Sequence, residues 1–238
     1  MKKVILLLIL FTIPAWAQLD ISLNGLVISP QGQFEENIDR AGYGFSLSGK
    51  YNFEPTPFSL GLNFGYALYG SETRSEILVW PVAVDVTTDN NIFFMHLMGT
   101  IHKDFGIFQP YAEALLGFQV LWTDTEVKDQ EPEDDENDIA SNTHLSDWTS
   151  SFGVGGGIKI KLTEFDTDEF GDDDDPVFLN SGLFLDLKVR YIFGGQAEYL
   201  KEGSIEQGPN NEIILHKSRS ETDYMTFHIG LSIHLFNK

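Results

Sequence analysis

Cysteine is absent from this 238-residue chain, so neither disulfides nor thiolate chemistry can carry its fold or its function. Beyond residue 17 no apolar run approaches the roughly 20 residues that a transmembrane helix needs. Any residence in a membrane must therefore be as strands, because only helices and closed barrels satisfy the backbone in lipid. Bases are scarce too: 15 Lys and Arg stand against 36 Asp and Glu, a formal charge of −21. A surface of that sign repels nucleic acid and favours divalent cations or basic partners.

The longest apolar run, Val4 to Ile13, follows Lys2-Lys3 and precedes the small pair Ala15 and Ala17. That order predicts a secretory signal peptide over 1–17, with 18–238 as one exported domain. No cysteine follows the expected cleavage site, which excludes a lipoprotein anchor there.

What the chain does have is alternation. In Gly182 to Gly194, GLFLDLKVRYIFG, Leu183, Leu185, Leu187, Val189, Tyr191 and Phe193 share one parity, while Asp186, Lys188 and Arg190 share the other. In an extended strand these lie on opposite faces. A closed barrel in a bilayer can point the apolar face at lipid and turn the charges inward. Seven more such stretches occur, beginning near Leu19, Tyr43, Phe58, Phe93, Ala112, Phe152 and Phe227. Aromatics at 13% and 22 glycines fit the same pattern. The reading is all-β: an eight-stranded antiparallel transmembrane β-barrel with long external loops.

Connections support it, since the first, third, fifth and seventh are long while those at Glu54 to Pro57 and Asp104 to Pro110 are tight. Outer-membrane barrels have long external loops and short periplasmic turns. The exception is the acidic connection Thr163 to Pro176. An alternative count makes Ile77 to Val86 and Glu212 to Lys217 further crossings, giving ten strands. Pro81 and weak alternation favour a hairpin rising above the membrane instead. The acidity is concentrated in 124–138, with nine acids and one Lys, and in 164–175, with eight acids and no base. These segments are candidate divalent-cation contacts, although Asp166-Thr-Asp168 with Gly171 lacks the spacing of an EF-hand.

With Gln109-Pro-Tyr-Ala-Glu-Ala-Leu-Leu-Gly-Phe118 entering the fifth strand and Gly230-Leu-Ser-Ile-His-Leu-Phe236 closing the chain, the sequence resembles the small OmpA/OmpX-type outer-membrane β-barrels. The resemblance implies residence in a bacterial outer membrane, contact with lipopolysaccharide, a monomer and no cofactor. It differs from the family in that Asn237 and Lys238 follow the terminal aromatic. No C-terminal peptidoglycan-binding domain is expected.

Parity places Glu113, Lys159, Lys161, Asp186, Lys188 and Arg190 on the inner face, with Lys50, His96, His102, His228 and His234. Eight strands leave a lumen just filled by side chains, so these charges are expected to pair into a plug. Glu113 is expected to meet Lys159 and Lys161, and Asp186 to meet Lys159, leaving Lys188 and Arg190 for groups higher in the barrel. The histidines have no ligand spacing, so no metal site is expected. Function is expected to reside in the loops, as surface interaction, adhesion or envelope stability. Val79, Trp80 and Val82 in the run LVWPV offer an apolar contact for an external protein. Two alternatives stand beside this: an outer-leaflet lipid A hydrolase, on the likeness of His144-x-Ser146 to deacylase barrels, and a narrow channel for small solutes. No enzyme is expected, because no acid that would orient the histidine follows in that strand.

Overall fold

A computed structural model describes residues 18–38, 40–53, 55–79, 82–129, 138–166, 179–207 and 213–237. The expected signal peptide, Trp80 and most of both acidic segments lie outside these residues. Ten strands follow in order: β1 Gln18–Pro30, β2 Gly42–Asn52, β3 Phe58–Val79, β4 Val82–His102, β5 Phe108–Asp129, β6 Asp138–Asp166, β7 Leu179–Gly194, β8 Gln196–Gln207, β9 Ile213–Glu221 and β10 Tyr224–Asn237. One short helix, α1, spans Gln33–Asn37 between β1 and β2.

Eight strands close a barrel in the order β1-β10-β7-β6-β5-β4-β3-β2. Every pairing is antiparallel, and β1 meets β10 along its full length, from Leu19↔Leu235 to Pro30↔Tyr224. Closure removes the unpaired edges that lipid does not tolerate. The remaining two strands, β8 and β9, pair only with each other. They fill what the sequence reading took as a last long loop, and they do not add crossings to the barrel.

Alternation fixes which face is which. Along β1, every second residue from Gln18 to Pro30 is buried and those between are exposed or nearly so. Leu23, Leu116 and Ile229 are 60%, 65% and 61% exposed on the outer wall, and they are among thirty large hydrophobics at least 36% exposed in the described residues. Inside sit Asp20, Ser22, Asn24, Ser46, Asn63 and their neighbours, nearly all below a tenth exposed. A soluble protein inverts that distribution. Apolar outside, polar inside and closed is the arrangement of a barrel in lipid.

The long strands outrun a bilayer. A tilted crossing needs about 9 to 11 residues, whereas β3 has 22 and β6 has 29. Register shifts at Leu68/Gly70 in β3 and Thr123/Asp124 in β5 mark where the wall changes character. Just before them Tyr66 and Trp122 lie 5.9 Å apart, with polar ends turned to Asn91 and Asp124. Aromatic rings with a wet tip suit the membrane interface. Past the bulges the strand sequences become Ser71-Glu-Thr-Arg-Ser-Glu76 and Thr123-Asp-Thr-Glu126, polar on both faces. The β3–β4 pair thus continues as a hairpin above the barrel, as Pro81 suggested, with Val79 paired to Val82 near its tip.

Candidate functional site

The lumen is built in three levels. At the end where β1 begins and β10 finishes, the Lys159 ammonium on β6 pairs with the Asp20 carboxylate on β1 and also donates to Ser232 Oγ at 2.7 Å. Ser232 in turn donates to the other Asp20 oxygen at 2.9 Å, which completes a three-residue ring across the barrel. Lys50 lies over the Tyr111 ring at 4.9 Å, and His234 bonds Asn52 at 3.0 Å. These groups leave a void of about 10 Å³, room for about one water molecule.

In the middle, Arg190 on β7 makes a two-pronged contact with Glu113 on β5, Nε to Oε1 at 2.6 Å and Nη2 to Oε2 at 3.0 Å. Its Nη1 donates to Asn63 Oδ1 at 2.8 Å on the opposite wall. Asp186 accepts from the Tyr111 hydroxyl at 2.6 Å and from Lys188 at 3.1 Å. Above them His96 bonds Ser151 at 2.9 Å, and His228 bonds Ser46 at 3.2 Å and Thr226 at 2.9 Å. Each buried charge named here has a partner, the condition under which burial is tolerable. Among the described residues three buried carboxylates face four buried Lys and Arg, so the lumen does not carry the chain's surplus acid.

This pairing corrects the expected one. Glu113 meets neither Lys159 nor Lys161 but Arg190, and Asp186 meets Lys188 and Tyr111 while Lys159 takes Asp20. Lys161 is outside the network: it sits at the rim, partly exposed, and pairs with Glu164 at 2.6 Å. The reason is glycine. Glu113, Gly155 and Arg190 form one row across β5, β6 and β7, and Tyr111, Gly157 and Lys188 form the next. A Cβ on Gly155 would stand 2.8 Å from Arg190 Cγ and 3.1 Å from Glu113 Oε1; one on Gly157 would stand 2.6 Å from the Tyr111 hydroxyl. The bare backbone of β6 is thus a window through which side chains two strands apart meet. Pairing only neighbouring strands missed it, although the run Gly153-Val-Gly-Gly-Gly157 carried the signal.

The far mouth is closed by hydrocarbon, which the charge pattern did not suggest. Leu26, Ile28, Ile92, Phe94, Leu121, Ile192 and Tyr224 all turn inward there, each below 5% exposed. Phe34 of α1 is fully buried between Tyr69 and Tyr199, edge-on to both at 5.4 and 5.2 Å. Tyr199 belongs to β8, so the β8–β9 hairpin covers the opening together with α1. Asp223 anchors its base, accepting from Gly194 N through its side chain and from Gln31 N through its carbonyl, both at 2.9 Å. Asp147 holds its flank by accepting from Glu198 N at 2.8 Å.

The other residues singled out by sequence do not join this site. Ser146 is exposed on β6, opposite Trp122, and Asp147 beside it is committed to the hairpin. His144 lies on the same strand, but its side chain and those of Val79 and Val82 are outside the described residues. Among the described residues no three His, Cys, Asp or Glu gather as metal ligands.

No family model matches the chain, and no curated protein does. Among solved structures it is similar to Ail, the attachment invasion locus protein of Yersinia pestis, in complex with the heparin analogue sucrose octasulfate, at 10% identity and a TM-score of 0.41, covering 92% of this chain and 97% of that one. It is also similar to Neisserial surface protein A, at 8% identity and 0.36, covering 92% and 96%. The transport unit of the autotransporter AIDA-I from Escherichia coli gives 12% and 0.29, covering 96% and 92%. At these scores the wall, lumen and rim described above rest on this chain's own geometry.

Proposed function

We propose that the chain is an outer-membrane barrel, closed to solutes, that works through what it holds above the bilayer. The tight turns at Phe53 to Phe58 and Phe105 to Phe108 share one end of the barrel with the start of β1 and the finish of β10, the arrangement of a periplasmic rim. The opposite end carries α1, the β8–β9 hairpin and the extended β3–β4 and β5–β6 pairs, which then stand outside the cell. Lipid and lipopolysaccharide surround the wall, and an external protein or cation is met by the projecting strands. Adhesion or envelope stability is the role that fits.

One observation carries this reading: the lumen is filled at every level, by paired charges below and by hydrocarbon around Phe34 above. That disfavours the channel alternative, since a conducting barrel needs a continuous wet path. For the hydrolase alternative, Ser146 is exposed and Asp147 beside it is bound to the β8–β9 hairpin. The test joins two measurements. In planar bilayers the protein should give no unitary conductance steps. Trimming β3–β4 at the Leu68/Gly70 bulge and β5–β6 at the Thr123/Asp124 bulge to short turns should leave a folded barrel that no longer binds host cells or protects the envelope. Steady conductance by the intact chain, or full surface activity after trimming, would reverse the assignment.

A further inference from the structure

At the periplasmic rim the outer wall carries an open groove of about 620 Å³, lined among others by Pro57, Ile101, Lys103, Pro110 and Ala112. Its walls are held by backbone bonds, His102 N to Pro57 O at 2.9 Å and Lys103 N to Pro110 O at 3.1 Å. Ile101 stands opposite Ala112 in register, and the small side chain of Ala112 opens the floor. Between two paired strands there is no free edge for a peptide to join. The groove faces the bilayer and its wall is mostly apolar, with His102 and Tyr111 also in the lining and Lys103 at its foot.

That cation is uncommitted. Outside the lumen at this rim, among the described residues, Lys161 is held by Glu164 at 2.6 Å, whereas Lys103 is exposed and makes no ion pair. Its neighbour Asp104 is occupied elsewhere, accepting from Gly106 N at 2.6 Å and Gln109 Nε2 at 3.2 Å. The Lys103 ammonium instead lies over the Phe105 ring at 5.1 Å. Phe105 and Ile107, 61% and 60% exposed on the same turn, hold that end at the apolar side of the interface.

We propose that this groove binds one phospholipid of the periplasmic leaflet, with its phosphate on Lys103 and an acyl chain against Pro57, Ile101 and Ala112. Hydrocarbon above and a positive charge at headgroup level complement that one class of molecule. The proposal rests on the transbilayer orientation given above.

Native mass spectrometry of the full chain, with added palmitoyl-oleoyl-phosphatidylglycerol or with dioleoylglycerol, tests it. The intact protein should retain one phosphatidylglycerol and no dioleoylglycerol. Lys103→Gln should weaken retention about tenfold, the worth of one charge-assisted hydrogen bond, and Lys103→Arg should restore it. Ala112→Trp, which fills the floor, should abolish it. Heat-modified gel migration checks that each variant is folded. Equal retention by Lys103→Gln and Ala112→Trp, equal retention of dioleoylglycerol, or paired barrels in place of bound lipid would overturn the site. Flotation with vesicles separates the two readings: a chain that does not float refutes the membrane assignment, while one that floats but retains no lipid refutes only the groove.

Discussion

Glu113 and Arg190 are each buried, and each is the other's main counter-charge. Removing one partner of such a pair typically costs about 3 to 5 kcal/mol, because the other charge is left without compensation. Glu113→Ala should therefore lower the unfolding midpoint in detergent strongly, and Arg190→Met combined with Glu113→Leu should recover much of the loss. Lys161→Ala should change it by less than about 1 kcal/mol, since its bond to Glu164 lies in solvent. Thermal or urea unfolding of the three variants decides; a midpoint that moves with Lys161 and not with Glu113 would mean that the lumen pairs do not hold the barrel together. Gly155→Ala makes the same point without touching a charge. Its Cβ would meet Val189 O at 2.7 Å as well as the Arg190 stem, so the row must separate and stability should fall. Burial on the inner face was legible for Lys50, Glu113, Lys159, Asp186, Lys188 and Arg190 from parity alone, but not for Lys161, which parity also places inside and which sits partly exposed at the rim beside a register shift. Partner choice was not, because it depends on shear: which residue of one strand is level with which residue two strands away is set by closure, not by spacing along the chain.

At the scale of elements, the barrel strands were readable and the mouth was not. Every barrel strand alternates over enough residues to declare itself, and Pro81 with the weak alternation around it declared the β3–β4 extension. By contrast, α1 is only five residues long and has no side-chain cap. It is helical because Phe34 is buried by Tyr69 and Tyr199, a tertiary cause that leaves little trace in the local sequence. β8 and β9 likewise gain their order from each other and from the rim. Phe34→Ala should then act on the element rather than on the wall. A buried Phe→Ala change costs about 3 to 5 kcal/mol when the site cannot collapse, here spent on releasing α1 and the hairpin while the barrel stays closed. The measurement is hydrogen exchange: amides of 33–38 and 196–200 should lose protection in Phe34→Ala, and those of β1 and β10 should keep it. Loss of protection throughout the barrel would show that the mouth cluster belongs to the core and is not a separate cover.

For the whole molecule, the outstanding question is which end faces out, and the chain's lack of cysteine makes that directly measurable. Strand parity sets the answer once for all connections, since each crossing reverses the side. Thr73 lies on β3 past the Leu68/Gly70 bulge and is exposed, bonded at 3.0 Å to Thr87 across the hairpin. Thr56 is exposed in the tight turn at the opposite end, bonded only to Phe53 and Phe58 nearby. Neither contact is part of the wall or the lumen, so a cysteine at either place should leave the fold intact. Thr73→Cys should react with a membrane-impermeant maleimide on intact cells, and Thr56→Cys only after the envelope is opened. The long acidic connection between β6 and β7 starts and returns on the Thr56 side, because β6 ends and β7 begins there, with Asp166 opposite Asn180 and Lys161 N bonded to Ile107 O of the tight turn. A cysteine at Asp173 should therefore label together with Thr56→Cys and not with Thr73→Cys. Labelling of Asp173→Cys on intact cells, with Thr56→Cys still protected, would require an extra crossing between them and would break the eight-strand count, whereas reversal of all three would keep the barrel and invert its insertion.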